Sequence, residues 1–139
     1  MISTKGRYAL RVIIDISLNS KGDYISLGEI SKREDISIKY LEQIIKMLVH
    51  DGLVVSQRGN NGGYRLAKKP SDITVYDVLK ATEGSIAPVA CLIDYENQCP
   101  RKNKCNTVSF WMELDSYIAK FLKNKTIADF TNSYDDYII

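Results

Sequence analysis

SLGEISKREDISIKYLEQIIKML (residues 26–48), continued after a break at Gly52 by LVVSQRGNNGGYRL (residues 53–66), is the stretch on which the fold turns. Ser26 with Glu29 has capping-box spacing, in which the hydroxyl and the carboxylate each satisfy an orphan amide at a helix start. A short helix is expected there, with Leu27 and Ile30 on its buried side. Asp35 and Ile36 form a brief connection before Ser37, which caps a second helix. On that helix Ile38, Leu41, Ile45 and Leu48 recur at intervals of three and four, which predicts the core face. Lys39, Glu42, Gln43 and Lys46 recur on the opposite, polar face. Leu53-Val54-Val55 and Tyr64-Arg65-Leu66 then flank Arg58-Gly59-Asn60-Asn61-Gly62-Gly63, a β-rich run on each side of residues that tolerate positive φ, and a hairpin is predicted. The fold class expected is mostly α: a winged helix-turn-helix domain with a two-stranded β-hairpin wing and a long C-terminal dimerisation helix.

Outward from this unit, residues 3–20 predict a first helix with Ala9, Leu10, Val12, Ile13, Ile14 and Ile16 turned inward, ended by Gly22. Lys5, Arg7 and Tyr8 at its start suit phosphate contacts beside a DNA-reading helix. Arg58, with Gly59 and little other bulk around it, suits a wing tip that follows a nucleic-acid backbone or enters a minor groove. Thr74 and Asp77 cap a further helix in which Val75, Val78 and Leu79 face inward, closed by Gly84. Residues 85–104 carry no period. From Asn106 to Lys123 a long helix returns, with Val108, Trp111, Met112, Ile118 and Leu122 on one side and Phe110, Leu114, Tyr117 and Phe121 on another. Its apolar arc is too wide for one packing surface, so a second subunit is expected on Phe110, Trp111, Leu114, Tyr117, Ile118 and Phe121. Thr126 and Asp129 start a last short helix, and Ile138 and Ile139 end an acidic, then apolar tail. The expected division is 1–84 for DNA binding, 85–105 for a cysteine-bearing loop and 106–139 for dimerisation and tail.

A length of 139 residues suits one compact domain with one core, or a small domain plus a dimerisation arm, and an apolar content of 45% is that of a globular protein. Residues 1–70 hold 12 Lys and Arg against 7 Asp and Glu, whereas residues 71–139 hold 7 against 10, so the positive excess lies with the helix-turn-helix. No basic-then-apolar leader or membrane-length apolar run is present, and a cytoplasmic protein is expected. No nucleophile-base pair, paired acids on a common face or phosphate-binding glycine loop argues for an enzyme.

Cys91, Cys99 and Cys105 are separated by seven and five residues. An odd number of cysteines argues against a disulfide framework. The spacing itself leaves metal site and coincidence both open, because zinc ribbons use closer pairs. Soft thiolates suit iron-sulfur clusters and zinc, which take four ligands. The lone His50, at the end of the reading helix, is read as exposed or as a backbone partner.

STKGRYALR at 3–11, SIKYLEQI at 37–44 and RGNNGGYRL at 58–66 together resemble the winged-helix transcription regulators typified by IscR, NsrR and CymR, and the likeness covers almost the whole chain. The resemblance implies a homodimeric DNA-binding regulator on a palindromic operator. Ser3, Lys5, Arg7, Tyr8, Ser37, Lys39, Tyr40, Glu42, Gln43, Arg58 and Gly59 would then face double-stranded DNA. It also implies a [2Fe-2S] cluster on Cys91, Cys99 and Cys105, sensing cluster supply or redox and nitrosative stress. Where relatives place a histidine or an aspartate as fourth ligand this chain has Val108 and Arg7, which leaves Asp94, Glu96, Asn106 or a partner-subunit group. A CymR-like regulator of sulfur metabolism, acting with a protein partner and no cluster, is the alternative. A small iron-sulfur redox protein is a different class that has no use for a wing.

Overall fold

The computed structural model describes residues 2–93 and 99–132. Ser3 is extended and its side chain accepts from the Gly6 amide, so helix α1 (Thr4–Asn19) begins directly after it. Ala9, Val12, Ile13 and Ile16 form a fully covered stripe along α1, with Leu10 and Ile14 packed at its margins. Around that stripe are gathered α2 (Leu27–Glu34), α3 (Ile38–His50), α4 (Val75–Glu83), α6 (Ile127–Asn132) and strand β2 (Gly63–Leu66). Burial of such aliphatic side chains contributes roughly 1.5–3 kcal/mol each, which makes α1 the central element of the core.

The capping-box residues act as expected. Ser26 and Glu29 start α2, and Thr74 and Asp77 start α4. Ser37 accepts from the Tyr40 amide at the start of α3. The buried face of α3 is Leu41, Ile44, Ile45 and Leu48. Ile38, expected in that face, is 49% exposed. It stands in the first turn of α3, and Ile44, which the spacing does not assign to the core face, is fully buried.

An ion pair with a buried carboxylate, which local sequence spacing does not announce, ties α1 to α2. Asp15 lies on the covered side of α1 and receives Arg33 Nε at 2.9 Å and Nη2 at 2.8 Å. Its side chain is 2% exposed, that of Arg33 36%. The hydrogen bond to Asp15 raises the Arg33 guanidinium further above its ordinary range. Beside this pair Arg11 Nε donates to Glu34 Oε1 at 3.2 Å. Burial, joined by Asp15, pushes the Glu34 carboxyl above its usual range, and the bond from Arg11 opposes it.

Strands β1 (Val54–Gln57) and β2 pair antiparallel, with Val54 opposite Leu66 and Gln57 opposite Gly63. The hairpin is not free-standing. Tyr64 donates to the Ile25 carbonyl at 2.8 Å and accepts from the Ile25 amide at 2.9 Å, so Ile25, just ahead of the Ser26 cap of α2, forms an antiparallel bridge to β2. This contact requires glycine at 63: φ is +144°, and a Cβ would lie 2.2 Å from the Ile25 carbonyl oxygen.

After α4 the chain leaves the core. Among the described residues from Gly84 to Thr126 none is buried, including all of the 16-residue helix α5 (Val108–Lys123). Met112 is 56% exposed, and α5 packs against α4. The chain returns where Val75 donates to the Lys125 carbonyl at 2.8 Å and Ile127 to the Ile73 carbonyl at 2.9 Å. Ile127 then enters the core with no exposure. No described helix is long and apolar enough to cross a membrane.

Gly63→Ala is expected to cost about 2–4 kcal/mol, from backbone strain and loss of the paired bonds to Ile25. The urea midpoint should fall with an unchanged slope. A midpoint equal to that of the wild type would contradict the close approach.

Candidate nucleic-acid interface and cysteine loop

Helix α3 is 13 residues long, roughly 20 Å at 1.5 Å per residue, and turns Ile38, Lys39, Glu42, Gln43 and Lys46 to solvent. A single helix of this width fits the major groove of B-DNA, and its amide, carboxylate and ammonium groups match the hydrogen-bonding edges found there. Glu42 and Lys46 rim a groove of about 420 Å³ between α3 and the hairpin, floored by Leu27, Ile45, Val49 and Tyr64. Arg58 and Gly59 are exposed at the hairpin tip. The wing is braced from behind by Arg65, which stacks 4.6 Å over the Tyr24 ring and donates to the Gly22 carbonyl at 3.2 Å.

The start of α1 places Arg7 in solvent, with Lys5 and Tyr8 half-buried. Tyr8 and Tyr40 meet edge to face, their ring centroids 5.8 Å apart, and Arg11 lies 5.0 Å over Tyr8. These two tyrosines therefore tie α1 to α3 as well as bordering the exposed face. Ser3 is not free either: its amide and hydroxyl both donate to Glu83 Oε1, at 3.0 and 2.7 Å. Ser37 serves as the cap of α3. His50 is exposed, 3.0 Å from the adjacent Asp51 carboxylate. Ile38 is the exposed residue of this surface that apolar periodicity assigned elsewhere.

Cys91 ends up in a single 3-10 turn (Ala90–Leu92), and Cys105 two residues ahead of the Thr107 cap of α5. All three cysteines are half-buried. Cys105 Sγ is 3.4 Å from Thr107 Oγ1. Hydrogen bonding by the Thr107 side chain and then its amide, helped by the Val108 amide and Arg101, lowers the Cys105 thiol below its ordinary range. The donor set suits a soft metal in type and supplies three of the four ligands such a centre takes. Among the described residues, however, no three His, Cys, Asp or Glu side chains stand close enough to hold one. Asp94 and Glu96 lie outside the described residues, as do Ile138 and Ile139.

The Rrf2 family profile, described as iron-dependent transcriptional regulator, matches residues 2–133. The chain is 38% identical to the HTH-type transcriptional regulator IscR of Yersinia pseudotuberculosis over 134 residues, 96% of this chain and 80% of that one. It is 37% identical to IscR of Escherichia coli, over 96% of this chain and 82% of the other. Among solved structures it resembles IscR of T. potens, with a TM-score of 0.78, 32% identity and coverage of 100% and 91% of the two chains. It also resembles CymR, the global cysteine regulator of B. subtilis, with a TM-score of 0.75, 33% identity and coverage of 95% and 96%.

Thr107→Val is expected to return the Cys105 thiol toward its ordinary range, so its thiolate fraction at pH 7 falls. Alkylation of Cys105 in the metal-free protein should then slow several-fold, with the rate profile displaced to higher pH. An unmoved profile would remove Thr107 as the cause.

Proposed function

The chain belongs to the Rrf2 family of transcriptional regulators and is IscR-like in its homologues, and on that premise we propose that it works as a cytoplasmic homodimer on a palindromic operator. It is not an enzyme, as its named relatives are regulators. The observation that carries the proposal is the solvent-facing row Lys39, Glu42, Gln43 and Lys46 on α3, flanked by the braced wing. Lys5 and Arg7 supply sequence-independent phosphate contacts, Glu42 and Gln43 meet base edges, and Arg58 with Gly59 follows the adjacent minor groove.

The second subunit packs on α5. Phe110, Tyr117 and Phe121 are 58%, 65% and 61% exposed. Covering them contributes roughly 3–5 kcal/mol per chain, about twice that for a symmetric pair. Association costs about 4–15 kcal/mol, so the half-buried Trp111, Leu114 and Ile118 belong to the same contact. A two-fold pair presents two α3 helices to half-sites one helical turn, or a multiple of it, apart.

Cys91, Cys99 and Cys105 would hold a [2Fe-2S] cluster, completed by a fourth ligand outside this set. The support is their soft donor chemistry and the description of the family as iron-dependent. When bound, such a cluster supplies a redox-active, oxidant-labile centre, which suits control of cluster-assembly genes. The lowered Cys105 thiol favours the deprotonated form that a metal ligand requires. A second reading, control of sulfur metabolism through a protein partner without a cluster, is favoured by the likeness to the CymR structure across 96% of that chain.

Anaerobic reconstitution separates the two. Visible absorption with bound iron and sulfide is expected, and Cys91→Ala, Cys99→Ala or Cys105→Ala should each abolish it as fully as the triple replacement. Protein that takes up no iron or sulfide would select the cluster-free reading.

For DNA, Glu42→Ala is expected to relax base preference at one position per half-site, with little loss of overall affinity, because the carboxylate repels phosphate unless it accepts from a cytosine amine. Selection from random duplexes that returns the same consensus for wild type and variant would rule out that role.

A further inference from the structure

Helix α1 has no acidic residue in its own first turn, where the aligned peptide dipoles leave a positive end and unsatisfied amides. A different helix supplies the carboxylate. Glu83 is the last residue of α4, and its Oε1 accepts from the Ser3 amide at 3.0 Å and from the Ser3 hydroxyl at 2.7 Å. The same hydroxyl accepts from Gly6 N at 3.3 Å. At the C-terminus of α4 a carboxylate faces the negative end of its own dipole, a locally unfavourable place. Its position makes sense as a contribution to α1 instead. Gly6 leaves the room for it: a Cβ there would fall 2.3 Å from Glu83 Oε1.

Lys5 and Arg7 stand in the turn that this arrangement caps. A helix start without its cap frays, and residues in a frayed turn lose their register against a rigid DNA backbone. We infer that Glu83 is a positioning residue for DNA binding: it seats the first turn of α1 so that Lys5 and Arg7 meet phosphates, without touching DNA itself. The inference rests on the proposed assignment of Lys5 and Arg7 to the DNA backbone.

The test measures affinity of the full-length protein for a mixed-sequence duplex of about three helical turns, over a range of salt concentrations. Glu83→Ala and Gly6→Ala are expected to weaken binding roughly five- to tenfold at low salt and to flatten the slope of log affinity against log salt by about one per α1. Glu83→Gln, which still accepts a hydrogen bond, should fall between them and the wild type. A merely structural role would reduce the folded fraction and leave the slope unchanged. Helical circular dichroism reports folding, and if Glu83→Ala does not fold, Gly6→Ala and Glu83→Gln decide. Arg7→Ala separates the two levels of the claim. If it flattens the slope while the Glu83 and Gly6 variants do not, the role of Glu83 is overturned. If Arg7→Ala leaves the slope unchanged, the backbone assignment of α1 fails, and the inference fails with it.

Discussion

Hydrophobic attraction has no direction, and the interlocking of side chains narrows the angle between two helices only to a range. In this protein the Asp15–Arg33 pair adds a directional contact between α1 and α2. A carboxylate 2% exposed is costly unless both oxygens are engaged, and the fork of a guanidinium engages them in one geometry. Asn19 adds a bond to the Asp15 carbonyl at 2.8 Å. Because Asp35 turns left-handed at φ 55° and Ser37 already caps α3, the orientation of α2 passes almost directly to α3. The direction in which Glu42 and Gln43 point is thus linked to the ion pair between α1 and α2.

The same economy governs the wing. Its tip is polar and exposed, yet its inner strand is pinned at Tyr64 to Ile25 and at Arg65 to Tyr24 and Gly22. Both anchors lie in the segment between α1 and α2. Reading helix and wing are therefore referred to the same part of the scaffold, and a rigid relation between them follows. Preorganisation of this kind lowers the entropy lost when two elements must meet one duplex together.

Much of this was legible in the sequence, for a physical reason. Ser26 with Glu29, Ser37 with Tyr40 and Thr74 with Asp77 are contacts between residues three apart, so the pattern that announces them also contains both partners. The polar face of α3 was legible from its period. Ile38 was not, since periodicity identifies a face but not where along the helix a neighbour stops covering it. The Asp15–Arg33, Ile25–Tyr64 and Ser3–Glu83 contacts escaped because each joins segments far apart in the chain; Ser3 and Glu83 are 80 residues apart. No local spacing distinguishes such charges from solvated ones. The cysteines were legible as a donor set and not as a geometry, which depends on how the loop closes.

The excursion from Gly84 to Thr126 contributes no described buried residue, and its far end is stitched by backbone bonds from residues 125–127 to residues 73–75, just ahead of α4. Topologically it is a long loop that leaves the core after α4 and rejoins it at Ile127. Loop-closure entropy grows only with the logarithm of length, about 0.6 kcal/mol for each doubling, so such a loop can gain or lose residues with little effect on the fold that carries it. Insertions and deletions here are cheap in evolution, and the chemistry carried between Gly84 and α5 can diversify while the helix-turn-helix stays the same.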